Sequence, residues 1–204
     1  MLTDEQLLSR YKAGDDEAMA SLIARYQQEL FSFLCRFVSD RATAEDLFQE
    51  TFIQIHRNAG SFDPERRFRP WLFTIAANKA RDFLRAHGRR VAFSLDNTAG
   101  HGAGDSEQGS TFIDLMASAV EAPPAELSHA EDVARVSAAL ATMPALYREV
   151  LVLSYFHDFA YKDIADMLHI PLGTVKSRLH AAVAAFAKVY RGMSGEIKSE
   201  SERS

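Results

Sequence analysis

Asn78, Lys79, Arg81, Asp82 and Arg85 fall within NKARDFLR, where helical spacing sets two arginines, a lysine and an amide on one polar side. Cations so placed neutralise phosphates, and the Asn78 amide carries the donor–acceptor pair that reads a base edge. Arg66, Arg67 and Arg69 lead into the same stretch, and Phe62, Phe68 and Trp71 offer faces on which an unstacked base could rest. Trp71 also shares a helical face with Ile75, so core packing is at least as strong a reading for it. A second set comprises Thr174, Lys176, Ser177, Arg178 and His180. Thr174 is expected to N-cap a helix whose first N–H groups can bind phosphate. Lys176, Arg178, Lys188 and Arg191 are candidate phosphate contacts, Arg178 through its bidentate fork, and His180 is a candidate base contact. A third set, Asp46, Gln49 and Glu50, lies at i, i+3 and i+4 on the outer face of a helix, suited to docking or to solvent.

These residues must be carried by helices. Thr3 can cap a first helix, and Asp15-Asp16-Glu17 open a second that runs through Met19, Leu22, Ile23, Tyr26, Leu30, Phe33 and Leu34. A third begins near Thr43 with Ala44, Leu47, Phe48, Phe52 and Ile55 on one face. After the Gly60–Pro64 turn, a fourth starts around Phe68-Arg69-Pro70, where proline suits the first turn. Residues 89–128 turn rich in Gly, Ser and Asp, with one apolar patch, Phe112 to Val120, that predicts a transient helix. So long a stretch inside one compact domain is improbable, which predicts two domains and a tether. The second is helical again, with Val133, Val136, Leu140, Met143, Leu146, Val150, Leu151 and Leu153 as its expected core. Tyr161 to Phe186 read as a helix-turn-helix: Ile164, Ala165 and Leu168 line a short helix, and Ile170-Pro171-Leu172-Gly173 break it. Val175, Leu179, Ala182, Val183 and Phe186 then make one apolar stripe. Opposite that stripe lie Ser177, His180, Ala181 and Ala184, the surface that a major groove would meet.

The chain of 204 residues has a net charge of −5, an average over unlike segments. Residues 61–92 carry +5 and residues 160–191 carry +3, whereas residues 93–132 carry −8 with no basic residue. The basic segments coincide with the two candidate nucleic-acid helices. A single cysteine, Cys35, excludes an internal disulfide and fits a reducing compartment. With no signal peptide and no apolar run long enough for a bilayer, a cytoplasmic protein without membrane insertion is expected. No Gly-rich phosphate loop, no His/Cys cluster with metal-ligand spacing and no Ser/His/Asp grouping supports an enzyme. No metal, cofactor or small-molecule substrate is therefore expected.

The segments AEDLFQETFIQIHRN (Ala44–Asn58), FRPWLFTIAANKARDFLR (Phe68–Arg85), MPALYREVLVLSYFHDFAYKDIADML and LGTVKSRLHAA resemble, in order and separation, the sigma-70 family of RNA polymerase specificity subunits. Within it, the chain is similar to the short extracytoplasmic-function (ECF) group, which keeps only domains 2 and 4. The resemblance implies an all-α protein. Residues 1–92 would form domain 2, 93–128 a flexible acidic linker, 129–191 domain 4 with the helix-turn-helix, and 192–204 a disordered tail. It implies that Asp46, Gln49 and Glu50 dock on the clamp helices of the polymerase largest subunit. Domain 4 would meet the flap region, and the acidic linker would either enter the polymerase channels or serve as a solvated tether. Asn78, Lys79, Arg81, Arg85 and Trp71 would serve the −10 element, and Thr174, Lys176, Ser177, Arg178 and His180 the −35 element. The implied partners are core RNA polymerase, promoter DNA and an anti-sigma factor.

Two other functions compete. A two-domain helix-turn-helix activator with an N-terminal sensing domain would need a ligand pocket more than a second basic helix. A pure interaction protein of the anti-sigma type would not need two basic helices.

Overall fold

The computed structural model describes residues 2–87 and 129–201, and all regular structure among them is helical. The expected linker, 93–128, and the Phe112–Val120 helix lie outside the described residues. The first unit contains α1 (Asp4–Lys12), α2 (Asp16–Val38), α3 (Arg41–Asn58), a short 3₁₀ turn (Ala59–Ser61) and α4 (Phe68–His87). The second contains α5 (His129–Thr142), α6 (Ala145–Leu151), a π-helical turn (Val152–Phe156), α7 (Tyr161–Leu168) and α8 (Leu172–Ser201).

Local chemistry explains where the first helices begin. Thr3 and Gln6 form a reciprocal capping box, Thr3 N donating to Gln6 Oε1 at 3.0 Å and Gln6 N to Thr3 Oγ1 at 3.2 Å. Asp40 caps α3 by accepting from Thr43 N at 2.8 Å, and the Thr43 side chain together with this backbone bond holds its carboxyl below the usual range. The first N–H of α4 is satisfied from a distance: Phe68 N donates to Glu5 Oε1 of α1 at 2.9 Å. That bond outweighs the opposing effect of burial and lowers the Glu5 pKa. α2 is the axis of the unit, burying Leu22, Tyr26, Leu30, Phe33, Leu34 and Phe37 against α1, α3 and α4.

The second unit departs from the sequence expectation in four places. α8 begins at Leu172, so Thr174 lies inside its first turn instead of capping it. Pro171 takes the capping place, its carbonyl accepting from Thr174 N at 2.9 Å and Val175 N at 3.1 Å. The turn therefore shifts to His169–Pro171, with His169 left-handed at φ 54° and Gly173 already helical. Val133 and Leu146, expected in the core, are exposed, whereas Leu140, Met143, Val150, Leu151 and Leu153 are buried as expected and Ala139 joins them. α8 runs on to Ser201, where a disordered tail was expected from 192. A helix already nucleated gains one bond per residue, and Gly192 and Gly195 each cost it only about 1 kcal/mol.

The two units do not stand apart. α7 packs on α4, and α5, α6 and the π turn pack on α2, so the buried apolar residues of both form one continuous core.

Candidate nucleic-acid and polymerase interface

α4 presents Asn78 and Arg85 to solvent and holds Lys79 and Arg81 half-buried. The polar side is a linked set: Arg81 donates to the Asn78 side-chain oxygen, and Arg85 to Asp82 Oδ1 at 3.1 Å. Asp82 thus orients one arginine while lowering the local positive charge. Trp71 is half-buried in an aromatic cluster, its ring centroid 4.8 Å from Phe62 and 5.9 Å from Phe68. Phe62 and Phe68 are buried, which removes them as stacking surfaces. Trp71 keeps a partly accessible edge.

On α3, Asp46, Gln49 and Glu50 are all exposed, while Ala44, Leu47, Phe52 and Ile55 face the core. Ile53 joins the exposed side one turn on, 49% accessible. The acidic face of α3 and the basic helix touch, for Lys79 Nζ donates to Glu50 Oε2 at 3.0 Å.

The helix-turn-helix is built as its apolar stripe requires, with Val175, Leu179, Ala182, Val183 and Phe186 buried against α6 and α7. Ala165, small and buried, sits where α7 crosses α8. Lys176, Ser177, His180 and Ala184 are exposed on the opposite face, with Thr174, Arg178 and Ala181 half-buried beside them. The Ser177 hydroxyl is spent on Thr174 O at 3.1 Å.

One residue that the sequence did not single out links the two basic sets. Glu149 of α6 is 1% exposed, and Arg81 Nε lies 3.1 Å from its Oε1. The Arg81 Nε–H is directed at Ala77 O, so the contact is an ion pair without hydrogen-bond alignment. Burial pushes the Glu149 carboxyl up to about 7, against the opposing pull of Arg81, Arg178 and Arg85. Arg81 and Arg85 of α4 and Arg178 of α8 thus all pull electrostatically on one buried carboxylate.

A second junction lies at the π turn. Its extra residue per turn and the left-handed Asp158, φ 52°, carry His157 and Phe159 into the first unit. The His157 ring packs edge-on against Phe33 at 5.6 Å and tilted against Phe73 at 5.3 Å. Arg69 closes over them: its Nε donates to Glu29 Oε1 at 3.0 Å, its Nη2 to His157 O, and its guanidinium lies 4.0 Å from the Phe159 ring centroid. Burial raises the Glu29 pKa, but contacts with His157 and Arg69 outweigh it and leave the carboxyl lowered. Arg67 pairs with Asp163, and Arg148 Nη1 donates to Ser39 Oγ at 2.7 Å. A signal for this junction exists in the sequence. Arg148 and Glu149 interrupt an otherwise apolar run from Ala145 to Leu153, where no solvent-facing stripe can form.

Among the described residues no cluster of His, Cys, Asp and Glu could hold a metal ion, and no helix is long and apolar enough to cross a membrane.

The chain matches the family model for Sigma-70 region 2 over residues 22–90 and that for Sigma-70, region 4 over residues 134–186. It is 35% identical to the RNA polymerase sigma-H factor of Pseudomonas aeruginosa over 186 residues, covering 91% of this chain and 92% of that one. It is 33% identical to the ECF RNA polymerase sigma-E factor of Haemophilus influenzae, over 89% of this chain and 92% of that protein. Among solved structures, the sigma factor RpoE of Bartonella quintana, in complex with the anti-sigma factor NepR, has a similar fold. The TM-score is 0.61 at 24% identity, covering 84% of this chain and 96% of RpoE.

Proposed function

Because this chain belongs to the ECF group of the sigma-70 family, we propose that it binds core RNA polymerase in the cytoplasm, directs it to −35 and −10 promoter elements and starts transcription there. It acts by recruitment and strand capture and performs no bond chemistry itself. The observation that carries this reading is the pairing of an exposed acidic face on α3 with basic helices in both matched regions. A sensing domain would need a ligand cavity in place of the packed α1–α4 core, and the activator reading loses ground accordingly.

Asp46, Gln49 and Glu50 dock on the clamp helices of the polymerase largest subunit, and domain 4 meets the flap region. Asn78, Lys79, Arg81 and Arg85 hold the −10 strand, with Trp71 at its edge. Thr174, Lys176 and Arg178 grip phosphates at the −35 element through side chains and the first turn of α8, while Ser177 and His180 face the bases. The alanines of the outer face, Ala181 and Ala184, suit thymine methyl groups. An anti-sigma factor that clamps the domains controls the protein.

Run-off transcription with purified core polymerase, with and without the chain, tests the function; transcription that does not depend on it overturns the reading. Asp46→Ala with Glu50→Ala is expected to weaken core binding at least tenfold and leave the helix content intact, as measured by core-binding titration and circular dichroism. Unchanged core affinity would remove the docking assignment.

A further inference from the structure

We infer that the cleft between the C-terminal end of α2 and the middle of α5 binds a small phosphate-bearing metabolite, with Arg36 and Arg41 as its cations and Ser32 and Ser39 as hydroxyl donors. The cleft has a volume of about 560 Å³, within the ~300–1,000 Å³ of small-ligand sites. None of its lining residues has a role assigned above in polymerase or promoter contact, so the site is independent of those assignments.

The first support is positive charge without a counter-charge. Arg36 is half-buried, its guanidinium 4.7 Å from the Phe156 ring centroid, and it donates to Ser32 O at 3.3 Å and to Ser32 Oγ. Behind the cleft wall Arg148 is 6% exposed, its Nη1 donating to Ser39 Oγ at 2.7 Å while its Nε is buried without a hydrogen-bond partner. Among the described residues neither guanidinium is paired with a carboxylate, whereas Arg69 has Glu29 and Arg81 has Glu149. Burial accordingly lowers the pKa of both Arg36 and Arg148. An anion brought into the cleft offsets the cost of holding these cations away from water. Asp40, the one carboxylate among the described lining residues, is committed to Thr43 N as the cap of α3. Arg41, 5.2 Å from the Phe31 ring centroid, is paired with an exposed Glu45, a contact of at most about 1 kcal/mol that a stronger anion can replace.

The second support is an excess of donors. Ser32 Oγ accepts from Arg36 and Ser39 Oγ from Arg148, so each hydroxyl keeps its own O–H to donate, and neither has an acceptor among the described residues. A tetrahedral dianion can accept from a guanidinium fork and from hydroxyls at once, which favours phosphate over a planar carboxylate. Phe31, Ala138 and Ala141 give the apolar walls against which the organic part of an ester can lie. Asp40 and Glu45 at the margin disfavour a long polyanion such as nucleic acid and leave room for a short one.

Cys35, the single thiol of the chain, lines the same cleft and reports whether it is filled. In the full-length protein, millimolar ADP is expected to slow alkylation of Cys35 by the uncharged reagent N-ethylmaleimide by about fivefold or more, relative to potassium chloride at equal ionic strength. Equal protection by inorganic phosphate assigns recognition to the phosphate group alone, and protection by ADP without it assigns recognition to the phosphate ester; either supports the site. Arg36→Met with Arg41→Gln is expected to abolish the protection while helix content, followed by circular dichroism, is unchanged. Arg36→Lys with Arg41→Lys, which keeps the charge, should retain part of it. Absence of protection by both phosphate compounds overturns the inference, as does undiminished protection in the Met/Gln variant. Equal protection by adenosine, which lacks the phosphate, or by succinate, which replaces it with carboxylates, overturns it as well.

Discussion

Glu149 has given up nearly all contact with water, and the three arginines around it only partly compensate. Its carboxyl titrates at about 7 in the fold against an ordinary value of 4.5, so the folded protein binds a proton that the unfolded chain releases. Stability linked to this group is full below the ordinary value and falls as pH rises through about 7. The shift corresponds to roughly 3 kcal/mol. Arg81, Arg178 and Arg85 pull the other way on the group electrostatically. Glu149→Gln keeps the side chain's size without the titration. The variant is expected to flatten the loss of stability between about pH 5 and pH 8, as followed by urea denaturation. A slope equal to that of the parent would show that other groups carry it. Glu29 has the opposite sign, because its lowered pKa gives stability that is lost only as pH falls below the carboxylate range. Neither residue was legible in the sequence. A single acid beside Arg148 looks like surface charge, and only the apolar residues on both sides of it hint otherwise. The exposed states of Asp46, Gln49, Glu50 and Asn78 were legible, because helical spacing alone places them opposite the core stripe.

At the scale of single helices, most of what shapes α1 to α4 is written locally. Thr3 with Gln6 marks a start, alternating turns of Leu and Phe set the buried face, and Pro70 falls in a first turn. α7 is the exception, since Ala160 precedes it with extended backbone, φ −60° and ψ 145°, and no side chain to bond the first N–H groups. Ala160→Ser should supply that bond and raise stability by about 1 kcal/mol, as measured by chemical denaturation. No gain would mean that the exposed N–H groups are already satisfied by water. The entry to α8 lies three residues before the place that Thr174, as a cap, would set. In the fold, the carbonyl of Pro171 starts the helix first, and His169 accepts the left-handed turn that Gly173 seemed designed for. The long-range cap of α4 by Glu5 had no local trace, for it joins residues brought together only by the packing of α1.

For the molecule as a whole, two helical units and their order could be read from composition, since the acidic Gly- and Ser-rich stretch interrupts two runs of amphipathic helix. Their mutual packing could not. Arg69 meets the His157 carbonyl, and Arg148 meets Ser39, across about half of the chain's length. The seat of Phe159 beside Phe73, 5.0 Å between ring centroids, is the apolar part of that contact. Phe159→Glu would bury a carboxylate there beside an Arg69 guanidinium already engaged by Glu29, a desolvation cost that is relieved if the units part. The radius of gyration from small-angle scattering is expected to rise clearly while helix content holds; an unchanged radius would show that the junction tolerates the charge. The Lys79–Glu50 bond has a consequence of its own. On the proposed roles, the carboxylate offered to polymerase is the one that occupies a cation offered to DNA. When the clamp helices claim Glu50, Lys79 is released to a phosphate; when DNA claims Lys79 first, Glu50 is released to the clamp. An exposed pair of this kind contributes at most about 1 kcal/mol, so each ligand improves the other's affinity by no more than about fivefold. The effect is small, reciprocal and always of one sign: the holoenzyme holds a promoter slightly better than the sum of its separate grips.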